Sequence, residues 1–215
     1  MPTELPTGLK NFPVVEVVLS VQFEPITTIH TAHLWRLWEE YREAFPEIEQ
    51  RPPLDQVIEQ FSDVPSARPG LKFQTLESLP VRVWFVNSQG SEMIQVQSDR
   101  FIKNWRKEGE DERYPRYSHI RPKFDRDFQT FLTFLERNEV AVPPVNQCEV
   151  TYVNHIVAGE GWDRHNDLEK VFTFWQLPPS TPPGTVEDVQ LHARFVIPGE
   201  ANRQLDVCMS RCNRF

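Results

Sequence analysis

Two stretches of this chain run through the same order of elements: a strand, an amphipathic helix, a Pro-rich connection and a hairpin of two strands. Glu16-Val-Val-Leu-Ser-Val-Gln-Phe23 opens the first copy and Glu149-Val-Thr-Tyr-Val-Asn-His-Ile156 the second. A duplicated unit with a fixed strand order builds one continuous sheet or two packed halves. The expected fold is therefore α+β, a mainly antiparallel sheet with helices packed on one face, and the strands near 15–23 and 147–157 central in it. The expected organisation is a first unit over 1–145 that includes a long helix, and a second, incomplete unit over 146–215 sharing the same core.

Local periodicity supplies the elements. Val17, Leu19, Val21 and Phe23 alternate with Glu16, Ser20 and Gln22, the period of a half-buried strand. Leu34, Leu37, Trp38, Tyr41 and Phe45 recur at three- and four-residue steps, which predicts a helix over 31–45 ended by Pro46. Pro52-Pro53 is a helix start signal ahead of Leu54, Val57, Ile58 and Phe61. Residues 81–87 and 92–104 read as the strongest strand pair, with Ser88-Gln-Gly-Ser91 as the hairpin loop. A second helix is expected from Pro122 to Asn138. It carries Phe124, Phe128, Phe131, Leu132 and Leu135 on one stripe, with Phe128 at the centre, and should anchor the core.

The second copy reads less regularly. Over 147–157, Val150, Tyr152 and Ile156 on one face meet Val153 and Val157 on the other, the pattern of a strand covered on both sides. Leu168, Val171, Phe172 and Trp175 predict a short helix over 167–175, and Leu177-Pro-Pro-Ser-Thr-Pro-Pro-Gly184 a stiff extended connector. Two alternating strands follow, around 189–197 and 205–209, with a turn at Pro198–Arg203. The hairpin stops at Phe215 without the long helix that follows the first copy, which would leave an apolar edge open. The expectation is that the natural chain is longer, or that a second copy or another protein pairs with this C-terminal edge strand.

Composition narrows the function classes. A formal net charge of -8 argues against general affinity for nucleic acid or an anionic membrane, while a local basic patch can override it. No apolar run approaches the roughly 18 residues of a spanning helix, and Met-Pro-Thr-Glu-Leu-Pro lacks the features of a signal peptide. Cys148, Cys208 and Cys212 are an odd, sparse set, in keeping with a reducing compartment. A cytoplasmic protein with no membrane partner is expected.

Motifs of catalysis are absent from the sequence. It has no Gly-rich phosphate loop and no Gly-x-Ser-x-Gly elbow, so no cofactor and no catalytic residue is assigned. His30 and His33 stand three apart at a helix start, a spacing that serves capping more readily than a metal, and no metal site is assigned either. Cys208 and Cys212 read as small buried residues, and Glu108-Gly-Glu-Asp-Glu112 as a solvated loop.

One stretch stands apart. Between Arg100 and Arg126 lie nine Lys or Arg residues, interleaved with Phe101, Trp105, Tyr114, Tyr117, His119 and Phe124. Guanidinium and aromatic groups in alternation pair phosphates while stacking flat ligands. Arg100, Trp105, Arg113, Tyr117 and Arg121 are the residues expected to hold an anionic ligand or nucleic acid, if the protein binds one. The structural alternative, the stronger of the two, makes the aromatics core and the arginines their solvated rim. A second candidate is a polar sheet face bearing Glu16, Gln22, Asn154, His155, His192 and Arg194, whose groups must bond one another or line a wet cleft.

Phe12-Pro-Val-Val-Glu-Val-Val-Leu-Ser-Val-Gln-Phe23, Ile94-Gln-Val-Gln-Ser-Asp-Arg-Phe101-Ile-Lys-Asn-Trp105, Tyr114-Pro-Arg-Tyr117 and Val150-Thr-Tyr152-Val-Asn154-His-Ile156 together resemble a sporadically distributed bacterial family of unknown function. The family strand reads Arg-Tyr-x-Asn-x-Ile, and Thr151 stands here where that Arg would be. The resemblance implies no activity. Two classes stay open: a non-catalytic binding or interaction protein, such as an accessory component of a larger system, and an enzyme using His155 or His119 as a base beside Glu16. The first is favoured, because no set of nucleophile, base and orienting group assembles from the sequence.

Overall fold

The computed structural model describes residues 13–55, 81–109, 112–157, 159, 162–163, 165–172, 191–196 and 204–209. The chain divides into two compact units, one of Met1–Gln60 with Val64–His155 and one of Phe61–Asp63 with Ile156–Phe215. In the first, the order is β1 (Val14–Phe23), α1 (Thr31–Tyr41), β2 (Glu47–Arg51), β3 (Arg82–Val86), β4 (Glu92–Gln97), β5 (Arg100–Arg106), α2 (Tyr117–Arg137) and β6 (Val145–Asn154). The second holds a short 3-10 helix, His165–Lys170, and the strands β7 (Leu191–Val196) and β8 (Gln204–Met209), which pair with each other. No helix among the described residues is long and apolar enough to cross a membrane.

The protein is α+β, with six antiparallel strands in the order β2-β3-β4-β5-β1-β6. Strand alternation sorts its side chains into two sets. Val17, Leu19, Val21 and Phe23 of β1, Phe101 and Trp105 of β5, Ile94 and Val96 of β4, and Val83 and Phe85 of β3 form one buried face. Leu34, Leu37 and Tyr41 of α1 and Ile120, Phe124, Phe131, Phe134 and Leu135 of α2 join them in a single core, so both helices cover this face. The Tyr41 hydroxyl donates to the Asp127 carbonyl at 2.6 Å and ties one helix to the other.

Several expectations are corrected. The segment 92–104 is two strands, because Ser98-Asp99 turns the chain back after Gln97. Helix α1 ends at Tyr41, and a short edge strand, β2, follows. Helix α2 begins at Tyr117, with Pro122 inside it, and Phe128 is only partly buried, whereas Phe131 is fully enclosed. Strand β1 is interior, but β6 lies at the margin of the six-stranded sheet, with Val145, Val150 and Tyr152 more than 40% exposed. Its two-sided apolar pattern therefore does not report cover on both faces. The helix expected over 167–175 is one short 3-10 segment. The helix expected over Val57–Phe61, the extended connector 177–184 and the open edge beyond Met209 lie outside the described residues.

Candidate functional site

The face of the sheet turned away from the helices is polar. Cross-strand registers place Arg51 beside Arg82, Gln97 beside Arg100, Arg100 beside Gln22, and Gln22 beside Gln147. Val83 pairs with Val96, which brings Arg82 next to Gln97 one position on. One row thus crosses all six strands as Arg51, Arg82, Gln97, Arg100, Gln22 and Gln147. The adjoining row carries Trp84 and Gln95. Gln22, Gln95, Gln97, Arg100 and Asn104 are each less than 8% exposed.

Buried amides are costly unless bonded, and here they bond one another. Arg82 Nη1 donates to Gln95 Oε1 at 3.0 Å, Gln95 Nε2 to Asn104 Oδ1 at 2.7 Å, and Asn104 Nδ2 to Glu16 Oε1 at 2.6 Å. Arg100 Nη2 donates to Gln22 Oε1 and to the Asp55 carbonyl. Gln97 clasps the chain leaving β2: its Oε1 accepts the Leu54 N–H at 3.0 Å and its Nε2 donates to the Leu54 carbonyl at 3.1 Å. Trp84 lies under two guanidinium groups, Arg51 at 4.7 Å and Arg82 at 5.4 Å from its ring centre.

What remains unbonded on this face is one-sided. Among the described residues the buried atoms Arg82 Nε, Arg100 Nε and Trp84 Nε1 have no hydrogen-bond partner, and all three are donors. Arg51 pairs with Glu49, but neither Arg82 nor Arg100 meets a carboxylate among the described residues. Burial, and the like charges of Arg51 and Arg100, hold the Arg82 guanidinium below its ordinary pKa. No protein-family model matches this chain, and no curated protein or solved structure does.

Of the five residues singled out in the sequence, only Arg100 belongs to this row. Trp105 lies on the helix-covered face, where Nε1 donates to Glu112 at 3.3 Å and the ring meets Tyr114 at 5.8 Å. Tyr117 and Arg121 sit on the first turns of α2, bonded to each other at 3.2 Å, with Arg121 also on Asp125; Arg113 is exposed on the loop before them. The polar face does contain Glu16 and Gln22, as the second candidate had it, while Asn154 is exposed at the end of β6 and His192 and Arg194 lie on β7 in the other unit. Arg51, Arg82, Trp84, Gln95 and Gln97 were missed. Their signal is alternation with Val83, Phe85, Ile94 and Val96, polar residues at every second position of two adjacent strands.

The helix-covered face holds a charged cluster. Lys103, 2% exposed, meets Asp127 of α2 at 2.6 Å and Glu92 at 3.3 Å, and its ammonium stands 4.7 Å from the centre of the Phe45 ring. Beside it is a cavity of about 20 Å³ lined by Glu92, Lys103, Trp105, His119 and Lys123, with room for a water molecule. His119 is therefore on the opposite side of the sheet from Glu16, and the two do not form an acid–base pair. His30 and His33 form a helix cap, the His30 N–H donating to His33 Nδ1 at 3.2 Å.

Burial raises the Glu92 carboxyl, but the hydrogen bond from Lys123 and the charge of Lys103 outweigh it and hold the pKa below its ordinary 4.5. A carboxylate depressed on folding stabilises the protein above its unfolded pKa, and that contribution is lost as pH falls through the folded value. Melting temperature followed from pH 7 downward should therefore fall less steeply below about pH 4.5 in Glu92→Gln than in the unaltered protein.

Proposed function

We propose that this protein is a non-catalytic binding module whose polar sheet face holds an anionic ligand. The observation that carries the reading is the pair Arg82, partly exposed, and Arg100, buried, whose buried Nε donors are unbonded and which meet no carboxylate among the described residues. A buried charge without a counter-ion is strongly unfavourable, and a bound anion relieves that cost. Membership in the bacterial family of unknown function that the sequence resembles is part of the same proposal and adds no activity to it.

Thermal melting of the full chain with and without anions tests the reading, since a ligand that binds only the folded state raises the melting temperature. The rise should shrink as salt increases, because Arg51 and Arg82 are open enough to be screened. Arg82→Gln removes one of three neighbouring positive charges. It should lose the anion-dependent rise while melting no lower than the unaltered protein in the absence of anion. Melting indifferent to every anion at low salt would remove the basis for the reading.

A further inference from the structure

The chemistry left open on the polar face specifies more than charge. The interior amides are occupied: Gln95 between Arg82 and Asn104, Gln97 between Leu54 and Asp99. The unbonded buried atoms are donors on Arg82, Arg100 and Trp84. A ligand that brings hydroxyl or amino donors would find these amides already committed, whereas one that only accepts hydrogen bonds matches the face.

Arg82 adds a directional constraint. Its Nη1 is fixed on Gln95 and its guanidinium carbon stands 5.4 Å from the centre of the Trp84 ring, and among the described residues the Nε–Nη2 edge makes no bond. That edge presents two parallel N–H groups at the spacing of two oxygens on one carboxylate or phosphate. Arg100 stands two strands away, a backbone separation of about 10 Å, which long side chains can close. Arg100 is only 7% exposed, so a polymer lying along the face does not reach it.

Resting on the reading above, we propose that the ligand is a small molecule bearing one oxoanion group, a carboxylate or a phosphate. The group is taken two-point by the Nε–Nη2 edge of Arg82, with Arg100 Nε and Trp84 Nε1 as further donors. A single-stranded nucleic acid is the competing occupant, and it would need an open, electropositive groove with free aromatic faces.

The test titrates the full chain with inorganic phosphate, with acetate and citrate, and with a short single-stranded oligonucleotide, reading heat and melting temperature. Phosphate or a carboxylate should bind, and comparing the two arms tells which source fits. Arg82→Lys keeps the charge and loses the fork, so it should weaken that binding at least tenfold. Trp84→Phe keeps the ring beneath the guanidinium groups and loses one donor, so it should weaken binding several-fold with the ligand-free melt unchanged. Oxoanion binding that Arg82→Lys leaves intact overturns the two-point grip, and binding of the oligonucleotide alone overturns the ligand class; in both cases the anionic reading itself survives. No binding by any of the three overturns both.

Discussion

Replacing Phe131 by alanine is expected to destabilise the protein by about 3 to 5 kcal/mol, the range for removing a fully buried aromatic ring. The ring is completely enclosed and meets three others: Phe23 at 5.9 Å, Phe101 at 5.4 Å and Phe128 at 6.2 Å between centroids. Such pairs each contribute roughly 0.5 to 1.5 kcal/mol beyond area burial, which places the substitution toward the upper end. Phe128→Ala, at a partly buried position, should cost clearly less. Urea unfolding of both variants checks the order, and equal losses would mean that the two positions are equally enclosed.

A comparable loss is expected from Asp127→Ala. It leaves the Lys103 ammonium 2% exposed with Glu92 as its remaining carboxylate, 3.3 Å away. Breaking a buried pair from one side typically costs about 3 to 5 kcal/mol, while replacing both partners by apolar groups is often neutral. Lys103→Met combined with Asp127→Ala should therefore be more stable than Asp127→Ala alone. Glu92 and Lys123, which bond each other at the cavity, limit how far the double variant recovers. Denaturant midpoints for the single and double variants give the coupling directly. A single-variant loss under about 1 kcal/mol would show that water replaces Asp127 at Lys103.

The helix-covered face could be read from the sequence because apolar period reports burial directly: Val17, Leu19, Val21 and Phe23, and Phe124, Phe131 and Leu135, fall where their spacing puts them. Strand β2 could not. Glu47-Ile-Glu-Gln-Arg51 has one apolar residue, and it is held in the sheet by backbone pairing to β3, which leaves no trace in propensity. The five residues of the expected ligand strip are dispersed for a different reason. Arg100 and Trp105 are five apart on one strand, so alternation sends them to opposite faces, and nearness along the chain is no guide. The parity of the positions that join the helix-covered core switches at the missing turn: Ile94 and Val96 are even, and Phe101 and Trp105 odd. The two-residue turn at Ser98-Asp99 produces that switch.

The two reversals in the β3-β4-β5 meander are not equivalent places to open the chain. Ser88 and Gln89 are exposed, and Gly90, at φ +76, completes a turn beside the Arg106 and Glu108 side chains. At Ser98-Asp99 the two carbonyls instead accept the N–H groups of Ile26 at 2.8 Å and Phe23 at 2.9 Å, and Asp99 is buried. New termini, an inserted peptide or a protease cut fit the first turn, where little backbone bonding is at stake. One extra residue at the second would rotate β5 by half a period, carrying Arg100, Ile102 and Asn104 into the core and Phe101, Lys103 and Trp105 out of it. A peptide inserted at Gln89 should therefore leave both faces of the sheet intact, and the same insertion at Asp99 should lose them together.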